Sequence, residues 1–402
     1  MSPSTPPDQP AGRTAGTTLT SGPKGKREQL FAALLILLVT LAIFGLGFFA
    51  GKYISLYRLK KIVYKYDRAV VMGRLLSLER FKEIATAYND PEAFLKNRRN
   101  IIWSVPNVLT PFVLGAPEPG RHKNAIINDR QCRDVREVAM PKPPGTFRIF
   151  FTGGSTAFGS GAPTQDATIS AYLERLLNEQ VRPKTGLTYE VVNAANPAWA
   201  STHERVCIEN RLSELVPDLV ISFSGNNDAH WGWNGEDVLW HWTYFDRYLI
   251  MVINEAYRLT GKSSMTEVAP KSSTPVPRQL VAARLEKNLR LGAHALNLAR
   301  ARYLFCLQPT LAVTKKGLSP REKRIWSKDG KIEAYFQESY DAMAKAAGGL
   351  ALANYAFLNL ADVFDHLGEK DEIFTDHYHF GDRGNNLIAR ALAARLPAGM
   401  LR

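Results

Sequence analysis

The sequence predicts an α/β fold: a three-layer α/β/α domain on a five-stranded parallel sheet, preceded by one transmembrane helix. Three observations predict it. From Thr146 onward, short near-continuous apolar runs alternate with longer stretches of helical periodicity. Strands covered by helices on both faces lose the apolar–polar alternation, so this pattern argues for a parallel sheet. Ahead of it, Leu30–Ala50 is 21 residues with one polar member, Thr40. That is about 32 Å of helix at 1.5 Å per residue, against a hydrocarbon core of about 30 Å. Finally, the residues that can carry chemistry fall just after strands, where open α/β sheets bind ligands.

Residues 1–28 are rich in Pro, Ser, Thr and Gly without periodicity and are expected to be disordered. Residues 29–51 form the membrane helix. A cleaved signal peptide is the competing reading, but the run is long for a signal-peptide core. Gly51-Lys52-Tyr53 also offers no small-x-small cleavage site. Leu59, Val63, Tyr66 and Val70 recur at helical spacing, so the helix should continue as an amphipathic stalk to about Ala87. Asn89-Asp90-Pro91 then breaks it. The proline-rich stretch that follows reads as a linker, so stalk and linker together span 52–144.

The domain proper is expected over 145–402, with an insertion at 229–280. Its strands are expected at Phe147–Thr152, Tyr189–Asn193, Leu219–Ser224, Tyr303–Leu307 and, more weakly patterned, Phe357–Leu360. Its helices are expected at Thr168–Glu179, Thr202–Leu215, Val281–Ala299, Glu333–Ala353 and Asn385–Leu396.

A formal charge of +13 invites a nucleic-acid reading, so the location of the charge matters. Residues 1–100 hold 16 Lys+Arg and 7 Asp+Glu; residues 101–402 hold 35 and 31. The excess gathers around the apolar span, where basic side chains meet anionic head groups. No recognition helix, zinc knuckle or aromatic–basic sheet motif accompanies it, so nucleic acid is not an expected partner. Cys132, Cys207 and Cys306 are too few and too scattered for a disulfide framework or a zinc site.

The chemistry centres on Ser155, in Thr152-Gly153-Gly154-Ser155-Thr156 at the end of the first strand. A serine hydroxyl is a weak nucleophile until a base takes its proton. His379 is the candidate base, and Asp376, three residues earlier, can orient its other ring nitrogen. A phosphate-binding glycine turn would need a lysine before the serine, and none is there. His377 competes as base, but its spacing from Asp376 is wrong for a side chain to reach back. Candidate donors to an oxyanion are the N–H groups of Ser155 and Ala198 and the side-chain amide of Asn227. Taken singly, Asn227-Asp228 reads more simply as a turn after a strand.

In this order the motifs resemble the SGNH (GDSL-type) hydrolases. The resemblance covers about 145–400. Gly153-Gly154-Ser155-Thr156 matches the nucleophile block, with Gly154 where many members have Asp. Asn193-Ala194 begins the second block, but Ala198 stands where a glycine is usual. Gly225-Asn226-Asn227-Asp228 fits Gly-x-Asn-Asp, and Asp376-His377-Tyr378-His379 fits Asp-x-x-His. The resemblance implies a Ser155–His379–Asp376 triad, an oxyanion hole of Ser155, Ala198 and Asn227, and a flavodoxin-like sheet. At Ala198 a positive φ would be uncomfortable for alanine.

The expected activity is acyl-ester hydrolysis, O-acetyl esters among the substrates, with no metal and no cofactor. Two alternatives share the sequence: an O-acyltransferase acting on an envelope polysaccharide, and a catalytically silent membrane scaffold. Trp231 and Trp233 open an aromatic run ending at Trp242, suited to lining a substrate site, although a packed core for the insertion accounts for it slightly better. The expected partners are an acyl-ester substrate, as lipid or acylated carbohydrate, and membrane lipids. On sidedness two signals conflict. Six basic residues closely follow the span and four precede it, which favours a cytoplasmic domain. The short basic tail before a first span is the usual signal-anchor arrangement, and the resemblance implies envelope esters. The expectation is an outward-facing, periplasmic or extracellular domain.

Overall fold

The computed structural model describes residues 23–66, 77–101, 105–236, 243–262, 272–326 and 330–401. The chain divides into two compact units, Met1–Lys60 and Lys61–Arg402. The described part of the first lies in helix α1 (Pro23–Tyr66), which runs on across the boundary and which Pro23 can open because a first-turn residue needs no N–H. Within its stretch Gly25–Lys61 an 18-residue apolar window has a mean hydropathy of 2.7 and buries nothing, so the helix is long and apolar enough to cross a membrane.

The stalk is not the continuous helix expected to Ala87. Helix α1 is described as far as Tyr66, residues 67–76, Val70 among them, lie outside the described residues, and extended Ser77 opens a separate helix α2 (Leu78–Ala85). The reason is local: the Ser77 hydroxyl accepts the Arg80 N–H at 3.2 Å, an N-cap that starts a helix. Asp90 caps helix α3 (Pro91–Ile101) in the same way, accepting the Ala93 N–H at 2.9 Å. Phe81 and Ile84 of α2 are buried with Tyr88 and Phe94, so the two helices form a small packed hairpin.

The central sheet has five parallel strands: β1 (Thr146–Gly153), β2 (Thr188–Asn193), β3 (Leu219–Ser224), β4 (Arg302–Leu307) and β5 (Tyr355–Asn359). Their order is β2-β1-β3-β4-β5, the flavodoxin-like arrangement. Each strand lies within three residues of its expected bounds. Alternate residues feed two cores. Ile149, Phe151, Ile221, Leu304 and Cys306 join one, and Phe150, Val220, Tyr303, Phe305 and Leu307 join the other.

Helices α4 (Ile169–Gln180) and α9 (Asp382–Arg395) cover the first face. On the second lie α5 (Ser201–Cys207), α6 (Asn226–Trp233), α7 (Arg278–Leu298) and α8 (Gly330–Gly348). The expected helix 202–215 stays α-helical only through Cys207. It loosens into a π turn at Ile208–Leu212 and a tight turn at Ser213–Leu215, ahead of Pro217.

Residues 105–144, expected as linker, contribute two short antiparallel pairs and a share of both cores. Val105 and Ile127 join one core; Val113, Ala116, Cys132 and Val138 join the other. Buried Arg133 donates to the carbonyls of Phe158 and Gly159, at 3.0 and 2.8 Å, so this segment also braces the turn after Ser155.

Candidate active site

Strand β1 ends at Gly153, whose φ of +148° is open to glycine. The chain then turns abruptly into the one-turn helix Ser155–Phe158, closed by left-handed Gly159. This places Ser155 at the carboxyl end of the sheet. A Cβ at Gly154 would come closer than 3.0 Å to Nδ2 of Asn227. The glycine therefore leaves room for that amide, where an aspartate would crowd it.

His379 arrives from the loop between β5 and α9. Its Nε2 lies 2.7 Å from Oγ of Ser155, and its Nδ1 lies 2.7 Å from Oδ2 of Asp376. Oδ1 of Asp376 accepts the backbone N–H groups of Tyr378 (2.8 Å) and His379 (2.9 Å), which fixes the carboxylate relative to the ring. Desolvation alone would raise the Asp376 pKa. The adjacent imidazole and the three hydrogen bonds outweigh it and hold the carboxyl well below its usual range. His377 contributes through its backbone, where its carbonyl accepts the Leu311 N–H. The loop is also fastened from behind. Arg321 donates to the Phe374 carbonyl at 2.5 Å, and Glu322 accepts the N–H groups of Ile373 and Phe374, both at 3.2 Å.

After β2, Asn193 donates to the Ala157 carbonyl at 2.9 Å, and Asn196 returns its N–H to the Gly153 carbonyl at 3.1 Å. Ala198 follows with a φ of +71°, the left-handed angle that makes glycine usual here. Among the described residues its N–H has no hydrogen-bond partner. Its carbonyl accepts from Nε1 of Trp231 at 3.4 Å. Left-handed alanine costs about 1–2 kcal/mol. Ala198→Gly should therefore gain about 0.5–1 kcal/mol of unfolding free energy, the remainder being offset by glycine's freer unfolded chain. Denaturant unfolding measures this, and an unchanged midpoint would mean that the methyl's packing against Trp231 cancels the relief.

Asn227 donates Nδ2 to the Trp199 carbonyl at 2.6 Å, joining the third block to the second. Asp228, read from sequence as a turn residue, does more. Its carboxylate accepts the Ser201 N–H (3.1 Å) and the Ser201 hydroxyl (2.5 Å), and Asn288 donates to that hydroxyl at 2.8 Å. Burial raises the Asp228 pKa, and the bonds from Ser201 oppose the rise. Buried Glu204, one turn further along α5, is pushed up to about 7 by desolvation.

One tie escaped sequence reasoning. Thr156 donates to Oε1 of Gln308 at 2.8 Å, tying the nucleophile turn to the end of β4. His230 lies 3.2 Å from the Tyr378 hydroxyl and 3.0 Å from the Asn234 amide, a structural pairing. The position of Gln308 after a strand was the only available signal. Trp231 is buried with Ala198 and Ala200, and Trp233 packs on Tyr335. Trp240 and Trp242 lie outside the described residues.

No family model matches this sequence, and no curated protein is similar to it. Solved structures are. An acetyl xylan esterase (AlAXEase) matches with a TM-score of 0.38 at 16% identity, over 62% of this chain and 99% of its own. A putative GDSL-like lipase from Parabacteroides merdae matches with 0.36 at 15%, over 60% and 92%. An acetylxylan esterase from Geobacillus stearothermophilus matches with 0.36 at 14%, over 63% and 96%. At low identity, then, the chain is similar to esterases and to a GDSL-like lipase.

Proposed function

We propose that the chain is a serine esterase acting on acyl esters. The observation that carries the reading is the continuous Ser155–His379–Asp376 relay, with both links at 2.7 Å. His379 takes the Ser155 proton as Oγ attacks the ester carbonyl. Negative charge then grows on the carbonyl oxygen, for which the N–H groups of Ser155 and Ala198 and the Asn227 amide are the candidate donors. The imidazolium, held by Asp376, returns its proton to the departing alkoxide as the ester C–O bond breaks. Water, deprotonated by the same imidazole, releases the acid from the acyl-enzyme. No step draws on a metal or cofactor.

Full-length protein in detergent, assayed against nitrophenyl esters of graded acyl length, should show saturable hydrolysis of at least one member. Absence of turnover across the panel contradicts the reading. Supplying a sugar acceptor with the preferred acyl donor then reads out transfer: acylated sugar in place of free acid would make the protein an acyltransferase on the same site.

For the membrane, α1 serves as a single-pass signal-anchor, with residues 61–402 on the outer side. A reporter that fluoresces only in the cytoplasm, fused after Arg402, should stay dark, and one active only outside should work. The reverse pair moves the domain, and its esters, to the cytoplasm.

A further inference from the structure

The turn Ala87-Tyr88-Asn89, between α2 and α3, lies against both loops that carry the relay. On the His379 side, Asn89 donates its backbone N–H to Oδ1 of Asp382 (3.0 Å) and Nδ2 to Oδ2 (3.1 Å). Thr86 adds a hydroxyl bond to Glu372. Between these contacts sits Gly381, two residues beyond His379. A Cβ there would come closer than 3.0 Å to the carbonyl oxygen and carbon of Ala87. Its φ is −75°, so close approach, and not backbone angle, demands the glycine. It occupies the N-cap of α9, where Ser, Asn or Asp would cap slightly better. The side-chain cap is absent here, and the space it would need is filled by the turn.

On the Ser155 side, a Cβ at Gly161 would come closer than 3.0 Å to the Phe380 carbonyl oxygen and lie 3.6 Å from the Tyr88 hydroxyl. Tyr88 therefore stands where the loop after the serine meets the loop of the histidine. It is buried and stacked on Phe94, with ring centroids 4.0 Å apart. Burial raises the pKa of its hydroxyl far above the usual range, and the carboxylates of Asp382 and Asp376 raise it further, which places the ring within the field of the relay.

We propose that the Ala87–Asn89 turn is a positioning element for the relay, resting on the esterase reading above: Asn89 and Tyr88 hold the Asp376–His379 loop at the distance where Nε2 meets Ser155. The segment that follows α1 in sequence is then part of what sets the reaction rate, though it supplies no reacting group.

The test uses the full chain in detergent with two readouts: the rate at which a fluorophosphonate labels Ser155, and kcat with KM on the preferred ester. Asn89→Asp sets two carboxylates face to face. Labelling and kcat should each fall about ten- to a hundredfold with KM unchanged, because small misplacements of reacting groups act on rate, while the facing carboxylates lower Tm. The swap Asn89→Asp with Asp382→Asn rebuilds the side-chain hydrogen bond with donor and acceptor exchanged, leaves the backbone N–H of position 89 an amide oxygen to bond, and should restore both rates. Should Asn89→Asp fail to fold, Asn89→Ala carries the same comparison, since it removes only the side-chain donor. Labelling at the wild-type rate in the single variant, or a swap that restores Tm without restoring rate, overturns the positioning role. If the wild-type chain takes no label at Ser155, the esterase reading itself fails; if only the variants' rates refuse to move, the positioning role alone does.

Discussion

Ser155→Ala is expected to abolish turnover, by on the order of 10⁶ in kcat, while leaving the fold and its melting temperature unchanged. The substitution removes one hydroxyl whose side-chain bond is to His379, at the end of a strand and outside both cores. His379→Ala should cost as much, and the double variant no more than either single one, because members of a relay act as a unit. Steady-state hydrolysis of the preferred ester checks both. A loss of only a few-fold in either would show that the bond between Oγ and Nε2 is not part of the reaction path.

Asp376→Asn should lower kcat by about 10⁴ for a different reason. In the wild type one carboxylate oxygen accepts two backbone N–H groups and the other faces Nδ1. An asparagine must keep its oxygen toward the two backbone donors, which leaves its NH₂ facing Nδ1. That nitrogen then has to accept, so the ring proton moves to Nε2, where it blocks uptake of the serine proton. Geometry survives and the tautomer is wrong. The acidic limb is also defined: Asp376 is held below the usual carboxylate range, so it stays ionised throughout neutral and mildly acidic conditions. Loss of activity between neutral pH and about pH 5 would therefore arise elsewhere than from Asp376.

The sheet was legible because burial on both faces writes continuous apolar runs, and Leu219–Ser224 was readable to the residue. The edge strand was harder. Tyr355–Asn359 carries three partly buried side chains and the exposed Asn359 after Tyr355, so its pattern began two residues late. Residues 105–144 read as linker because their contribution comes from scattered contacts, such as Arg133 on the carbonyls after Ser155, that leave no periodic trace.

Within the site, Ser155 and Asp376-x-x-His379 stood out as residue types at strand ends, and the fold brings them within hydrogen-bonding distance. The strain at Ala198 followed from an alanine at a glycine's place. What sequence could not supply was mutual dependence. Gly154 makes room for Asn227, Gly381 makes room for Ala87, and Asp228 clamps Ser201. Each pair lies far apart in the chain, and only the folded contact gives either partner its meaning.

The most direct measurement of the central claim is covalent labelling of the purified full-length chain with a fluorophosphonate, followed by peptide mapping. The account predicts a single adduct on Ser155, absent from Ser155→Ala and suppressed in His379→Ala. An adduct on another residue, or none on a folded chain, would contradict it.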